Sequence, residues 1–167
     1  MNLKNARQVE SVRDAEPRDL DVLARLWFDG WQDAHAKILP AELARLRTLD
    51  SFRDRLQSAL TDVRVADLEG TPAGFVIVKG DELYQLYVAQ HARGTGLASA
   101  LIDDALTRIR ANGIETAWLA CAIGNDRAAR FYEKSGWRRI GTMTSYLPTQ
   151  TGTFPLDVWR YEISLSA

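Results

Sequence analysis

The stretch Leu83-Tyr84-Gln85-Leu86-Tyr87-Val88-Ala89-Gln90-His91-Ala92-Arg93-Gly94-Thr95-Gly96-Leu97-Ala98 decides how the chain is read. Leu83 to Val88 is β-prone and a helical apolar pattern starts at Leu97, so a strand runs through a short loop into a helix N-terminus. That junction is anion-binding geometry. The first turn of a helix carries unpaired N–H groups and a positive dipole end, and Gly94 and Gly96 let a phosphate approach the backbone without Cβ interference. Arg93 adds a full positive charge and Thr95 a hydroxyl. Taken alone, Gly-x-Gly is also the mark of an ordinary tight turn. Two nucleotide readings fail: Leu97-Ala98-Ser99 supplies no third glycine of a dinucleotide fingerprint, and the Gly-Lys-Ser/Thr ending of a P-loop is absent.

Upstream, Val9 to Arg13 reads as a short first strand, and Pro17 opens a helix whose Leu20, Leu23, Ala24, Trp27, Phe28 and Trp31 recur at helical spacing. Pro40 interrupts. A second helix follows, with Asp50 as its cap and Phe52, Leu56 and Leu60 along one side, so two helices are expected before the sheet. From Val63 the period changes to that of strands. Val63 and Val65 alternate with polar residues, Gly70-Thr71-Pro72 turns, Phe75 to Val78 is β-prone, and Lys79-Gly80-Asp81 turns again before Leu83. Downstream of the glycine loop, Leu97, Leu101, Ala105, Leu106 and Ile109 mark a helix stopped by Asn112-Gly113. Ala117 to Ala122 is apolar throughout, which predicts a strand buried on both faces. A short helix over Asp126 to Lys134 ends at Gly136, and Trp137 to Tyr146 and Phe154 to Ile163 read as two closing strands.

The bulk composition narrows the partners. A chain of 167 residues with 46% hydrophobic content fits one domain over 1–167. Its 21 basic and 22 acidic side chains nearly cancel, so no global field gathers nucleic acid or anionic lipid, and neither is an expected partner. Any anion site must be local. Cys121 is the single cysteine, which leaves no internal disulfide framework, and Met1 to Glu10 lacks a signal-peptide pattern. The cytoplasm is the expected location. With His35 and His91 as the other soft donors, no metal-ligand spacing appears, and no metal is expected.

One strand beyond the glycine loop lies Asn125-Asp126-Arg127-Ala128-Ala129-Arg130-Phe131-Tyr132-Glu133-Lys134-Ser135-Gly136-Trp137. The two stretches together resemble the GNAT superfamily of N-acyltransferases. Leu86-Tyr87-Val88 ahead of Arg93-Gly94-Thr95-Gly96 resembles its CoA-binding motif A, and Asn125, Ala128, Phe131-Tyr132 and Gly136-Trp137 resemble its motif B. The resemblance spans roughly residues 9–163, with its specific core at 82–137. It departs at one place. The family usually has Gln or Arg three residues before the first loop glycine, where this chain has His91, with Gln90 and Arg93 as neighbours that can compensate.

The resemblance implies an α/β fold with a mixed, mostly antiparallel sheet of about six to seven strands and about four helices, splayed between the two motif strands. It implies acetyl-CoA as acyl donor, with the pyrophosphate on the backbone of Arg93, Gly94, Thr95, Gly96, Leu97 and Ala98. The pantetheine arm then lies against Leu86, Tyr87 and Val88, with Asn125 and Ala128 opposite, and backbone donors that polarise the thioester carbonyl. The acceptor is an amine of a small molecule, an amino acid or a protein, attacking directly in a ternary complex. The resemblance also leaves room for a homodimer and for a CoA-binding module without turnover.

A lysine-like amine with a pKa near 10.4 is neutral in only about one molecule in 2,000 at pH 7, so a proton acceptor is useful. Glu82, six residues before Val88 and so of equal strand parity, is the candidate base; a solvated turn carboxylate is its competing reading. Tyr132 matches the family tyrosine that protonates the departing thiolate, and Asn125 is either a pantetheine ligand or a helix cap. Tyr84 and Gln85 can line the acceptor cleft. Trp27 and Trp31 read as core, His35 as a lone exposed histidine, and Cys121 as a buried inert thiol.

Overall fold

The computed structural model describes residues 11–166. Three helices, not two, precede the main sheet: α1 (Leu20–His35), α2 (Ala41–Leu46) and α3 (Leu49–Ser58). The expected second helix is divided at Arg47 and Thr48. Thr48 has an extended backbone and its hydroxyl accepts from the Ser51 N–H at 3.1 Å, so Thr48 is the cap and Asp50 lies inside the first turn. The first strand, β1, is only Arg13–Asp14; Val9 and Glu10 of the expected strand lie outside the described residues.

The remaining elements are β2 (Val63–Leu68), β3 (Thr71–Lys79), β4 (Glu82–Val88), α4 (Leu97–Ala111), β5 (Thr116–Ala122), α5 (Asp126–Lys134), β6 (Arg138–Thr149) and β7 (Gly152–Ser164). They form one seven-stranded sheet in the order β1-β2-β3-β4-β5-β7-β6. Every pairing is antiparallel except β4 with β5. The mixed, mostly antiparallel sheet is as expected, flanked by five α-helices where about four were predicted.

Each face of the sheet carries its own core. Helices α4 and α5 cover one, through Leu97, Leu101, Ala105 and Ile109 against Val76, Val78 and Leu119. Helices α1 and α3 cover the other, where Trp27 packs on Phe52 and Phe75 with ring centroids 4.8 and 5.4 Å away. Gly74 sets the distance between α4 and β3. A Cβ there would stand 2.5 Å from the Leu97 Cδ2 and 3.1 Å from the Tyr87 carbonyl oxygen, closer than packed atoms come.

Strand β5 is not buried on both faces. Ala117, Leu119 and Cys121 are buried, but Trp118, Ala120 and Ala122 are only partly so: Ala120 and Ala122 border a cleft, and the Trp118 ring is covered by the Arg160 guanidinium, 4.4 Å from its centroid.

Candidate active site

Strands β4 and β5 pair at one position, where Glu82, the first residue of β4, stands opposite Trp118, the third of β5. The Trp118 N–H donates to the Asp81 carbonyl at 3.1 Å and its indole N–H to the Asp81 carboxylate at 2.9 Å, closing that end. Beyond it the strands separate around a cleft of about 850 Å³. The Ala89 N–H donates to the Ala73 carbonyl at 2.8 Å, and bonded residues alternate along an antiparallel ladder. Tyr87 therefore turns its N–H and C=O to β3, while Leu86 and Val88 present theirs to the gap. The backbone role expected of Leu86 and Val88 is geometrically open. Tyr87 enters the cleft by its side chain instead.

The glycine loop borders the same cleft through Arg93, Gly94, Gly96, Leu97 and Ala98. Gly94 and Gly96 have φ of +76° and +85°, a conformation that costs other residues roughly 1–2 kcal/mol. A Cβ at either would meet nothing within 4 Å, so an open surface lies before the N-terminus of α4. A bulky anion fits there. Thr95 does not line the cleft: its hydroxyl donates back to the Ala92 carbonyl and accepts from the Leu97 N–H at 3.4 Å. The expected hydroxyl contact to phosphate is thus spent on shaping the loop. The Arg93 guanidinium is engaged as well, 2.9 Å from Asp33, which also holds Arg127 at 3.3 Å. Arg93 first and Arg127 second hold the Asp33 carboxyl below its usual range. His91 is exposed on the preceding turn.

Glu82 reaches the cleft by a route that strand parity does not give. Gln85 stands opposite Ile77 but Leu83 opposite Val78, so β4 carries an extra residue at Tyr84 and its faces exchange there. Leu86 and Val88 pack toward α4, whereas Glu82 falls on the other face with Gln85 and Tyr87. The parity argument fails, yet Glu82 lines the cleft, and it is half-buried instead of solvated. Burial, reinforced by Asp81, pushes its carboxyl up to about 7 against the opposing pull of Lys79 and Arg160.

Across the gap, α5 supplies Tyr132, which lines the cleft and is 9% exposed. Its ring sits among those of Phe131, Trp137 and Tyr161. Burial raises its pKa well above the usual tyrosine value, and its hydroxyl makes no hydrogen bond among the described residues. Asn125 caps α5, its carbonyl oxygen 3.4 Å from the Ala128 N–H; that donor is therefore occupied. Both residues still line the cleft. Cys121 is buried, and burial pushes its thiol up to about 12, consistent with an inert group.

Three side chains were not identified from sequence. His35, expected to be exposed, is the half-buried last residue of α1, with Nδ1 3.4 Å from the Tyr87 hydroxyl and Nε2 3.4 Å from the Asn125 amide nitrogen. Burial lowers its pKa to about 4, so it is neutral at physiological pH. The signal was its spacing, since Trp27, Trp31 and His35 form one i, i+4, i+8 stripe. Trp27 and Trp31 are core, as expected, and border the cleft too. Gly30 lets α1 lie this close, because a Cβ there would stand 2.7 Å from the Tyr87 ring. Arg47 and Arg55 also line the cleft, beside the expected Tyr84 and Gln85. No group of three or more potential metal ligands occurs among the described residues, nor any helix long and apolar enough to cross a membrane.

The model of the Acetyltransferase (GNAT) family matches residues 20–137, and the chain belongs to that family. It is an acyl-CoA-dependent N-acyltransferase. An uncharacterized N-acetyltransferase of Mycobacterium tuberculosis (strain ATCC 25618 / H37Rv) is 33% identical over 116 residues, 64% of this chain and 74% of the relative. The peptidyl-lysine N-acetyltransferase YjaB of Salmonella typhimurium is 28% identical over 131 residues, 78% of this chain and 85% of the relative. Among solved structures, a GCN5-related N-acetyltransferase from Rhodopseudomonas palustris has a TM-score of 0.74 at 22% identity, covering 95% of this chain and 97% of that one. The PaiA N-acetyltransferase of Thermoplasma acidophilum, in complex with coenzyme A, has a TM-score of 0.64 at 20% identity, covering 94% and 99%.

Proposed function

We propose that this domain transfers acetyl from acetyl-CoA to the primary amine of a small molecule or amino acid, by direct attack within the cleft. The observation that carries this reading is the conjunction, on one cleft, of a glycine loop at a helix start, splayed strand backbone, Glu82 and Tyr132. The open surface before α4 fits a pyrophosphate, held by the N–H groups of the loop and the first helical turn. Acetyl-CoA supplies the activated thioester. The free backbone N–H groups of Leu86 and Val88 can stabilise negative charge on its carbonyl oxygen, where one such donor is worth about 3 kcal/mol.

Glu82 takes the proton of the acceptor ammonium, for which a carboxyl near 7 is well poised. The amine nitrogen forms the new bond to the acetyl carbon as the carbon–sulfur bond breaks, Tyr132 donates to the departing sulfur, and the nitrogen loses its surplus proton to solvent, from which Tyr132 is reprotonated while Glu82 releases the proton it took. Burial keeps Tyr132 protonated and makes its anion costly, so it acts first as a hydrogen-bond donor and passes its proton only as the sulfur becomes anionic.

A panel of amines assayed with acetyl-CoA for thiol release tests this reading. Release above the hydrolysis background is expected with at least one small amine. CoA binding without any amine-dependent release would instead support a regulatory module. The relative named as a peptidyl-lysine N-acetyltransferase favours a second reading, a protein lysine as acceptor, so lysine peptides belong in the panel.

A further inference from the structure

The acceptor half of the cleft holds two cations without a carboxylate partner among the described residues. Arg47 is 3% exposed, and the one hydrogen bond its side chain makes among the described residues is to the Pro148 carbonyl at 2.7 Å. A guanidinium carries five N–H groups, and a buried charge is ordinarily paired. Arg55 lies over the Trp27 ring with its guanidinium carbon 4.4 Å from the centroid, and it donates to the Tyr84 hydroxyl at 3.0 Å. That contact uses the hydroxyl oxygen and leaves the O–H free to donate.

The carboxylates that border the cleft, Asp33, Glu82 and Asp126, do not compensate them. Asp33 is committed to Arg93 and Arg127, the charged groups that influence Glu82 are Lys79, Asp81 and Arg160, and Asp126, in the first turn of α5, is not among the groups that influence Arg47. Burial and the neighbouring Arg55 together lower the Arg47 pKa to about 10, the mark of a positive region lacking its counter-charge. Aromatic rings cradle Arg55 and two chain segments enclose Arg47, so neither needs a protein anion to hold its place.

We propose that Arg47, Arg55 and the Tyr84 hydroxyl form an anion subsite, and that the acceptor is an amine that also bears a carboxylate. This rests on the acetyl-transfer reading, and it narrows the acceptor to amino acids and compounds built like them. The planar guanidinium fork suits a carboxylate, whose two oxygens can take N–H groups from both arginines and the O–H of Tyr84. With the carboxylate held there, the amine end of the same molecule is directed along the cleft that Glu82 borders.

Calorimetry of the CoA-loaded protein with N-acetyl glycine, leucine, phenylalanine and glutamate, each beside its amide, reads the subsite without requiring turnover. At least one acid should bind about tenfold or more tightly than its amide, the weight of one charge-assisted hydrogen bond. Arg55→Gln should remove that preference while leaving CoA affinity unchanged, and Arg47→Gln should do the same wherever thermal denaturation shows it folded. Equal binding of acids and amides, no binding of any acid, or a preference that survives in folded Arg55→Gln would each overturn the inference. The acetyl-transfer reading fails separately. If no amine in the thiol-release assay turns over while the Arg55-dependent acid preference remains, the anion subsite stands and the reaction does not.

Discussion

Replacing Glu82 by Gln separates a catalytic base from a buried bystander through the shape of the pH profile. With a folded pKa of about 7, Glu82 is half ionised at pH 7, and loses about tenfold of its base form per unit below that. A lysine-like acceptor is almost wholly ammonium up to pH 9. If Glu82 takes its proton, the wild-type kcat/KM rises about tenfold per unit below pH 7 and then changes by only about twofold from pH 7 to 9. The Gln variant must wait for free amine, whose fraction grows about a hundredfold over the same two units. The ratio of wild type to variant should therefore stay level below pH 7 and shrink about fiftyfold between pH 7 and 9. Thiol release under conditions where chemistry limits the rate measures this, with CoA affinity as the control. Parallel profiles from pH 7 to 9 would refute the assignment. Stability offers an independent sign. A carboxyl raised from 4.5 to about 7 binds more protons folded than unfolded in that window, so folding stability falls from pH 4.5 to 7 and is level above. Glu82→Gln should flatten that fall and raise the melting temperature at pH 8.

Tyr132→Phe keeps the ring among Phe131, Trp137 and Tyr161, so the fold should survive; single-turnover acetyl transfer should drop about a hundredfold with CoA affinity little changed. Gly96→Ala should cost about 1–2 kcal/mol in denaturant unfolding, from its φ of +85°, and should weaken CoA binding in calorimetry, because its Cβ projects into the open surface before α4. Gly74→Ala should cost about 1–3 kcal/mol by forcing α4 off β3, without the same direct loss at the pyrophosphate surface. Asp33→Asn should tighten CoA severalfold at low salt, since it frees Arg93 and removes a negative charge beside the loop; the gain should fade at high salt, as for any exposed pair.

The donor half of the cleft was legible because it is built from backbone. A strand, two glycines and a helix start specify N–H groups whose positions follow from φ, ψ and helix geometry, whatever the side chains do. Arg93, Gly94, Gly96, Leu97 and Ala98 line the cleft. Thr95 departs from this because its hydroxyl had two uses, phosphate contact or loop closure, and spacing does not choose between them. Glu82 shows a different failure. Counting by twos from Val88 assumes an unbroken strand, and the extra residue at Tyr84 exchanges the faces of β4 with no glycine or proline to announce it. His35 was within reach, since it continues the Trp27 and Trp31 stripe by one more turn.

The acceptor half resists such reading because it is assembled from separate segments. Tyr84 and Tyr87, which border the cleft, pack on the α1 and α3 face, away from the face on which α4 and α5 are packed. An acceptor in that part of the cleft would meet side chains carried by α1, the α2–α3 junction, α3, and the β6–β7 hairpin, segments far apart in sequence. Arg47 illustrates the consequence: its hydrogen-bond partner Pro148 is 101 residues away. In sequence it is one arginine among many on a short amphipathic segment, and a solvated charge is the natural reading. Only tertiary packing buries it against the cleft and leaves it unpaired. Donor recognition can thus be common to a family through local backbone, while acceptor choice is written in long-range contacts. If so, exchanging Arg47 and Arg55 for apolar residues should change which amine is used before it changes whether acetyl-CoA is bound.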